Sequence, residues 1–263
     1  MPRPQPGIFA DGSRYHHYLE YDLSAPTDMA GLSDALEPII ALDGDTVHVI
    51  IAFGADLWRK LNPGSTPDNL QPFRPVGTGE RSALATQRDL FVWIHAADQA
   101  DTLDAAMAAH ALLKNVGTVR LSLPAFIYRD SRDLIGFVDG TANPKDDARF
   151  DAALVPEGQT GAGGAHVFSQ KWVHDLPAFH GLEIEDQERV VGRTKIDDIE
   201  LEGSAGQMSK SMVSHKRFSA GAPPTATPRS TVCIFSLSHA TQPASRFSWT
   251  ACTAFRATAC TTG

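Results

Sequence analysis

The sequence predicts an α+β fold of two ferredoxin-like halves, the second of them incomplete. Three observations predict it. Strand and helix patterns alternate as β-α-β, β-α-β between Arg14 and Leu123. A strand pattern at Ala165–Val173 begins the same order again. The chain then changes character, because no Asp or Glu occurs from Ala205 to Gly263. The expected organisation is therefore a first half at 1–123, the start of a second at 124–204, and an aberrant tail at 205–263.

Each element has its own warrant. Arg14–Leu23 reads as a strand, and Thr27 can cap a helix running to about Leu42. Thr46–Phe53 is rich in β-branched residues and reads as a second strand. A short helix is expected at Ala55–Leu61, then a Pro- and Gly-rich loop at Asn62–Gly79. Asp89–Ala96 is a third strand pattern. Asp101–Asn115 is alanine-rich and strongly helical, with Gly117 as a candidate cap, and Thr118–Leu123 is a fourth strand. Beyond it, 125–160 reads as mostly irregular and Gln187–Val191 as helical. This order belongs to an antiparallel sheet with helices on one face.

Composition narrows the function classes. A chain of 263 residues can bury a sizeable core as one large domain or two small ones. A formal charge of −8 argues against nucleic acid as a partner. No apolar run approaches bilayer-spanning length, so no membrane association is expected. The first residues, Met1 to Tyr18, carry no basic end followed by an apolar stretch and no Arg-Arg pair. The expected location is the cytoplasm. Cys233, Cys252 and Cys260 match no zinc spacing, and their odd number fits no disulfide framework.

The string Gly136-Phe137-Val138-Asp139-Gly140-Thr141-Ala142-Asn143-Pro144 is the most informative stretch. Glycines beside an acid let backbone approach a ligand closely, since glycine has no Cβ. The same Asp-Gly pair also marks an ordinary tight turn. With Ala85–Leu90, Gly163–Phe168 and Val191–Lys195, in that order, the string resembles the dye-decolorizing peroxidases of compact bacterial type.

The resemblance implies the dimeric α/β-barrel type of fold, with haem b held in the second half. It implies hydrogen peroxide as oxidant, a bulky reducing substrate such as a dye or phenol, and homo-oligomers in many members. Asp139 matches the distal acid–base residue, with Gly136 and Gly140 beside the cofactor. Arg193 is the candidate partner of a haem propionate, through a two-pronged guanidinium–carboxylate pair, or else a surface arginine. His166, His174 and His180 read as packed or exposed side chains rather than ligands.

The resemblance stops after Glu202. The family's axial histidine, its distal arginine string and its closing Leu-x-x-Met-Tyr/Phe-Gly pattern are not recognisable there. Reading the last base of each codon with the first two of the next changes this. Trp249-Thr250 then forces an Asp, and Ser248–Ala254 permits Leu-Asp-Gly-Met-Tyr-Gly. Ser219–Ala226 permits Arg-Arg-Ser-Thr-Pro-Tyr-Gly. A frameshift near Gly203–Gly206, with a short deletion, is the expectation. His215, following Ser214, lies at roughly the family's spacing for the iron ligand, and Arg229 near that of the distal arginine. Three functions compete: a haem peroxidase, an inactive remnant lacking axial histidine and distal arginine, and a haem-handling protein without turnover.

Overall fold

A computed structural model describes residues 4–67, 70–78, 81–140, 143–169, 174–202, 215–220 and 232–237; residues 78, 81, 215–220 and 232–237 are described by backbone alone. The elements are β1 (Tyr15–Leu23), α1 (Met29–Ile40), β2 (Val47–Phe53), α2 (Ala55–Leu61), β3 (Val76–Thr78), β4 (Arg81–Ala83) and β5 (Leu90–Ala96). They continue with α3 (Gln99–Leu113), β6 (Gly117–Phe126), α4 (Ala148–Ala153), α5 (Leu176–His180), α6 (Ile184–Val191), β7 (His215–Ala220) and β8 (Val232–Leu237). Contacts divide the chain into two compact units.

The first unit holds Met1–Pro72, Thr86–Phe126 and Gly158–Gly164. Its sheet runs β2-β5-β1-β6, with every neighbouring pair antiparallel. This is the ferredoxin-like order, and it excludes a parallel doubly wound sheet. Period-two alternation sends Leu19, Tyr21, Val49, Ile51, Val92 and Ile94 to one face, where α1 and α3 cover them. α3 buries Ala105, Ala106 and Ala109 there, small side chains that let a helix lie close to a sheet.

Two caps differ from the sequence reading. Asp28, not Thr27, caps α1, its carboxylate accepting from Gly31 N at 3.0 Å. Gly117 does not cap α3 but opens β6. A Cβ there would lie 2.7 Å from Asp22 O, so the glycine serves strand approach rather than helix termination. The loop expected at 62–79 also contains the first strand of the β3–β4 hairpin.

The opposite face of the sheet is buried as well. His16, Tyr18, Trp93 and His95 stack there, and Trp93 Nε1 donates to His16 Nδ1 at 3.1 Å. His95 ties down the N-terminal segment through Gly7 O at 2.9 Å and Ser13 Oγ at 2.7 Å. The Gln5 amide pairs with both Ile51 N and Ile51 O at 2.8 Å, meeting backbone groups of the edge strand β2.

His17 gives this unit a pH dependence. It is 6% exposed, its Nε2 meets Ser122 Oγ at 2.9 Å, and burial lowers its pKa below the ordinary 6.5. The unfolded chain therefore binds the proton more readily than the folded one. Its contribution is fully present above the unfolded value and is lost as pH falls through the folded one. In urea titrations the midpoint should drop as pH is lowered from the ordinary histidine value, and less steeply in His17→Gln. Equal slopes in the two proteins would refute the assignment.

The second unit holds Phe73–Ala85, Ile127–Glu157 and Ala165–Gly263. Its core gathers Ile135, Phe137, Phe179 and Val191, with Leu176 and Val190 packed against them. The strand expected at 165–173 does not form over its described residues; Ala165 makes a single bridge to Leu154. The partner segment is too short for more. An antiparallel ladder continuing from Leu154–Ala165 would next pair His166 with Ala153, the last residue of α4, whose backbone is already helical. β7 and β8 pair as an antiparallel hairpin. Among the described residues, no helix is long and apolar enough to cross a membrane.

Candidate functional site

The Asp139 loop is built by turn chemistry. Asp133, 5% exposed, accepts from Ile135 N through Oδ1 at 2.7 Å, the local bond that starts an Asx turn. Gly136 N then donates to Asp133 O at 3.1 Å. Closing that turn needs Gly136 at φ 94°, a left-handed conformation that L side chains rarely adopt. The two arms that follow are zipped together. Asp133 N donates to Phe137 O at 3.0 Å, Arg132 bridges Val138, and Asp139 N donates to Ser131 O at 2.7 Å. Asp139 thus ends a small hairpin whose apolar base, Ile135 and Phe137, is anchored in the core. Asp139 Oδ1 accepts from Gly140 N at 3.1 Å, and Gly140 is again left-handed, at φ 80°. The side chain of Asp139 is half-buried.

The Val191–Lys195 stretch forms the second wall. Gly192, at φ 85°, ends α6 in the left-handed conformation usual for that position. Arg193 and Glu200 bridge across a turn closed by Thr194 N to Ile199 O at 2.8 Å. Lys195 crosses Gly136: a Cβ on that glycine would lie 2.8 Å from Lys195 Cε. Its ammonium donates to Gln187 Oε1 at 2.6 Å and sits 5.5 Å from the centre of the Phe137 ring. Gly136 and Asp139 therefore share one loop, with Lys195 laid against it.

Arg193 lies elsewhere in its local hydrogen bonding. Its guanidinium is held by the carboxylate and the backbone carbonyl of Asp198, with Glu200 at 3.8 Å. It is neither a solvent-facing arginine nor an unengaged one. His215 opens β7, but its side chain lies outside the described residues, as do Arg229, Cys252 and Cys260. His174 is buried and His180 exposed on α5. His166 is different: burial lowers its pKa, and its buried Nε2 has no hydrogen-bond partner among the described residues. No group of three or more His, Cys, Asp or Glu among the described residues could hold a metal ion.

Sequence reasoning did not single out Arg132. Its Nη1 donates to Gly136 O at 2.9 Å and to Lys195 O at 2.6 Å, and its Nη2 to Ile196 O at 3.3 Å. Its Nε meets Asp130 at 3.0 Å. The Asp130 carboxyl is held below the usual range by a backbone N–H and then by this guanidinium. Asp130 is largely exposed, so the ion pair itself adds little stability.

Comparison with known proteins agrees with this architecture. The model of the Dyp-type peroxidase N-terminal domain matches residues 5–122, and that of the C-terminal domain matches 130–227, past the break expected near Gly203–Gly206. A dye-decolorizing peroxidase of Mycobacterium tuberculosis is 39% identical over 189 residues, covering 67% of this chain and 55% of the relative. One from Rhodococcus erythropolis is 32% identical over 176 residues, covering 66% and 51%. The chain thus spans about half the length of these curated relatives. Among solved structures, DyPB from Rhodococcus jostii RHA1 superposes with a TM-score of 0.79 at 28% identity, covering 93% of this chain and 85% of that one. A variant of the same protein in complex with haem also gives 0.79 at 28% identity, over 90% and 83%. With both domain models matched in order, the chain belongs to the Dyp-type peroxidase family.

Proposed function

We propose that the chain descends from a haem b peroxidase that reduces hydrogen peroxide and oxidises a bulky donor such as a dye or phenol. We further propose that it retains the proton-handling half of that machinery. The observation that carries this is the Asp139 hairpin, closed by three backbone–backbone hydrogen bonds and a bridge, with the carboxylate at its end accepting from Gly140 N.

The residues fit the cofactor on one side only. The described polar groups of the second unit that bear on a prosthetic group are the Asp139 carboxylate and His166 Nε2, which has no hydrogen-bond partner among the described residues. Arg193 pairs with Asp198, and the histidine at the family's spacing for the iron ligand, His215, has its side chain outside the described residues. Haem, when bound, supplies the iron and the electrons that cleave peroxide. Asp139 would take the proton from one peroxide oxygen and give it to the other, which leaves as water. A donor would return two electrons, and with two protons the second oxygen would leave as water.

The second reading, an inactive remnant, is favoured by the absence of any Asp or Glu from Ala205 onward. A shifted frame near Gly203–Gly206 accounts for that composition and for the missing iron ligand and distal arginine. The two readings separate in one assay. Peroxide-dependent dye oxidation is expected from a version carrying the restored upstream frame and missing segment, and little or none from this chain. Failure of the restored version to oxidise any dye would remove the peroxidase reading.

A further inference from the structure

We infer that Arg132 is a positioning residue for Asp139, a role that rests on the acid–base reading of Asp139. The Asp139 hairpin is short, and its closing turn depends on a left-handed Gly136. A turn of this kind needs outside support, because its own few backbone bonds exchange readily with water. Arg132 supplies the support. One planar guanidinium spans two backbone carbonyls 59 residues apart in sequence, those of Gly136 and Lys195, and reaches Ile196 as well. Its Nε is turned outward onto Asp130, which fixes the plane of the fork.

The donor set matches only arginine. Lysine presents a point charge on a flexible stem and cannot hold three carbonyls and a carboxylate in one plane. The charge-assisted bonds join the hairpin to the turn after α6, and Lys195 then covers Gly136 from above. Arg132 sits on the hairpin arm itself, bridged to Val138, next to Asp139. A loosened guanidinium is therefore felt at the Asp139 backbone within two residues. Arg193, by contrast, bonds within its own turn, to Asp198.

The test has two arms. In the first, amide exchange is followed in this chain with Arg132→Lys and Arg132→Ala. The amides of Gly136 and Asp139 should exchange about tenfold faster or more in Arg132→Ala, from loss of partly buried charge-assisted bonds. Amides of β5 should not change, and added guanidinium ion should restore the slow exchange. Arg132→Lys should recover only part of it. Unchanged exchange at Gly136 and Asp139, or a uniform rise without rescue, would overturn the inference. The second arm measures peroxide cleavage in the restored version with Arg132→Ala, Asp139→Asn and both together. The double variant should be no slower than Asp139→Asn alone; additive losses would overturn the positioning role. If Asp139→Asn alone has no effect, the acid–base reading fails, while the exchange arm still decides whether Arg132 holds the loop.

Discussion

Asp139→Asn in the version with its end restored should slow peroxide cleavage by about 10²–10⁴-fold, the usual cost of losing a positioned acid–base group. The substitution is nearly isosteric. The Asn carbonyl oxygen can still accept from Gly140 N, and the backbone bonds from Asp139 N to Ser131 O and from Asp133 N to Phe137 O do not involve the side chain. The hairpin should stay folded, so a slower reaction reports lost proton transfer rather than a lost loop. Stopped-flow mixing with hydrogen peroxide checks it. Binding of haem should not change, and saturating the dye should not restore the rate. An Asn variant that cleaves peroxide as fast as its parent would show that Asp139 is a turn residue only.

The first unit was legible because its elements are amphipathic in ways that sequence displays. β1 and β5 alternate, so their helix-facing residues appear as Leu19, Tyr21, Val92 and Ile94 at every second position. α3 is dense in alanine over fifteen residues and needs no tertiary help to be recognised. Positions set by long-range approach were not legible. Gly117 looks like a helix cap, and only the proximity of Asp22 O shows that it serves β6. The segment after Gly164 looks like a strand, yet among its described residues only Ala165 pairs, with Leu154, because α4 takes up the segment opposite.

The site divides in the same way. Asp133, Gly136, Asp139 and Gly140 interact within a few residues, so their roles in a turn follow from the string itself. Arg132 is adjacent in sequence but acts on carbonyls at Lys195 and Ile196. No local pattern encodes that bond. Arg193, in the Gly-Arg-Thr-Lys stretch, also bonds Asp198, a contact within its own turn. His166 carried only a bland reading, and its orphaned nitrogen emerges from burial alone.

The second large effect concerns the iron. Axial ligation fixes haem iron and sets its electronics, and a single missing ligand abolishes that anchorage. Asp139 cannot replace it, since a distal acid acts only on peroxide already in place. Of the described histidines of the second unit, His180 is exposed on α5, His174 is buried in its own contacts, and His166 keeps a buried Nε2 without a hydrogen-bond partner among the described residues. His215 is the candidate at roughly the family's spacing after Ala205, and a ligand there would need a supporting partner to orient its ring.

Haemin titration followed at the Soret band tests most directly the proposal that this chain keeps the proton-handling side and lacks the iron ligand. It is run on this chain, on its His215→Ala variant and on the version with the restored end. The restored version should bind haemin stoichiometrically with a shifted, saturable Soret band, and this chain should not, with or without His215. A saturable Soret band in this chain that His215→Ala abolishes would contradict that division, and would make His215 the iron ligand.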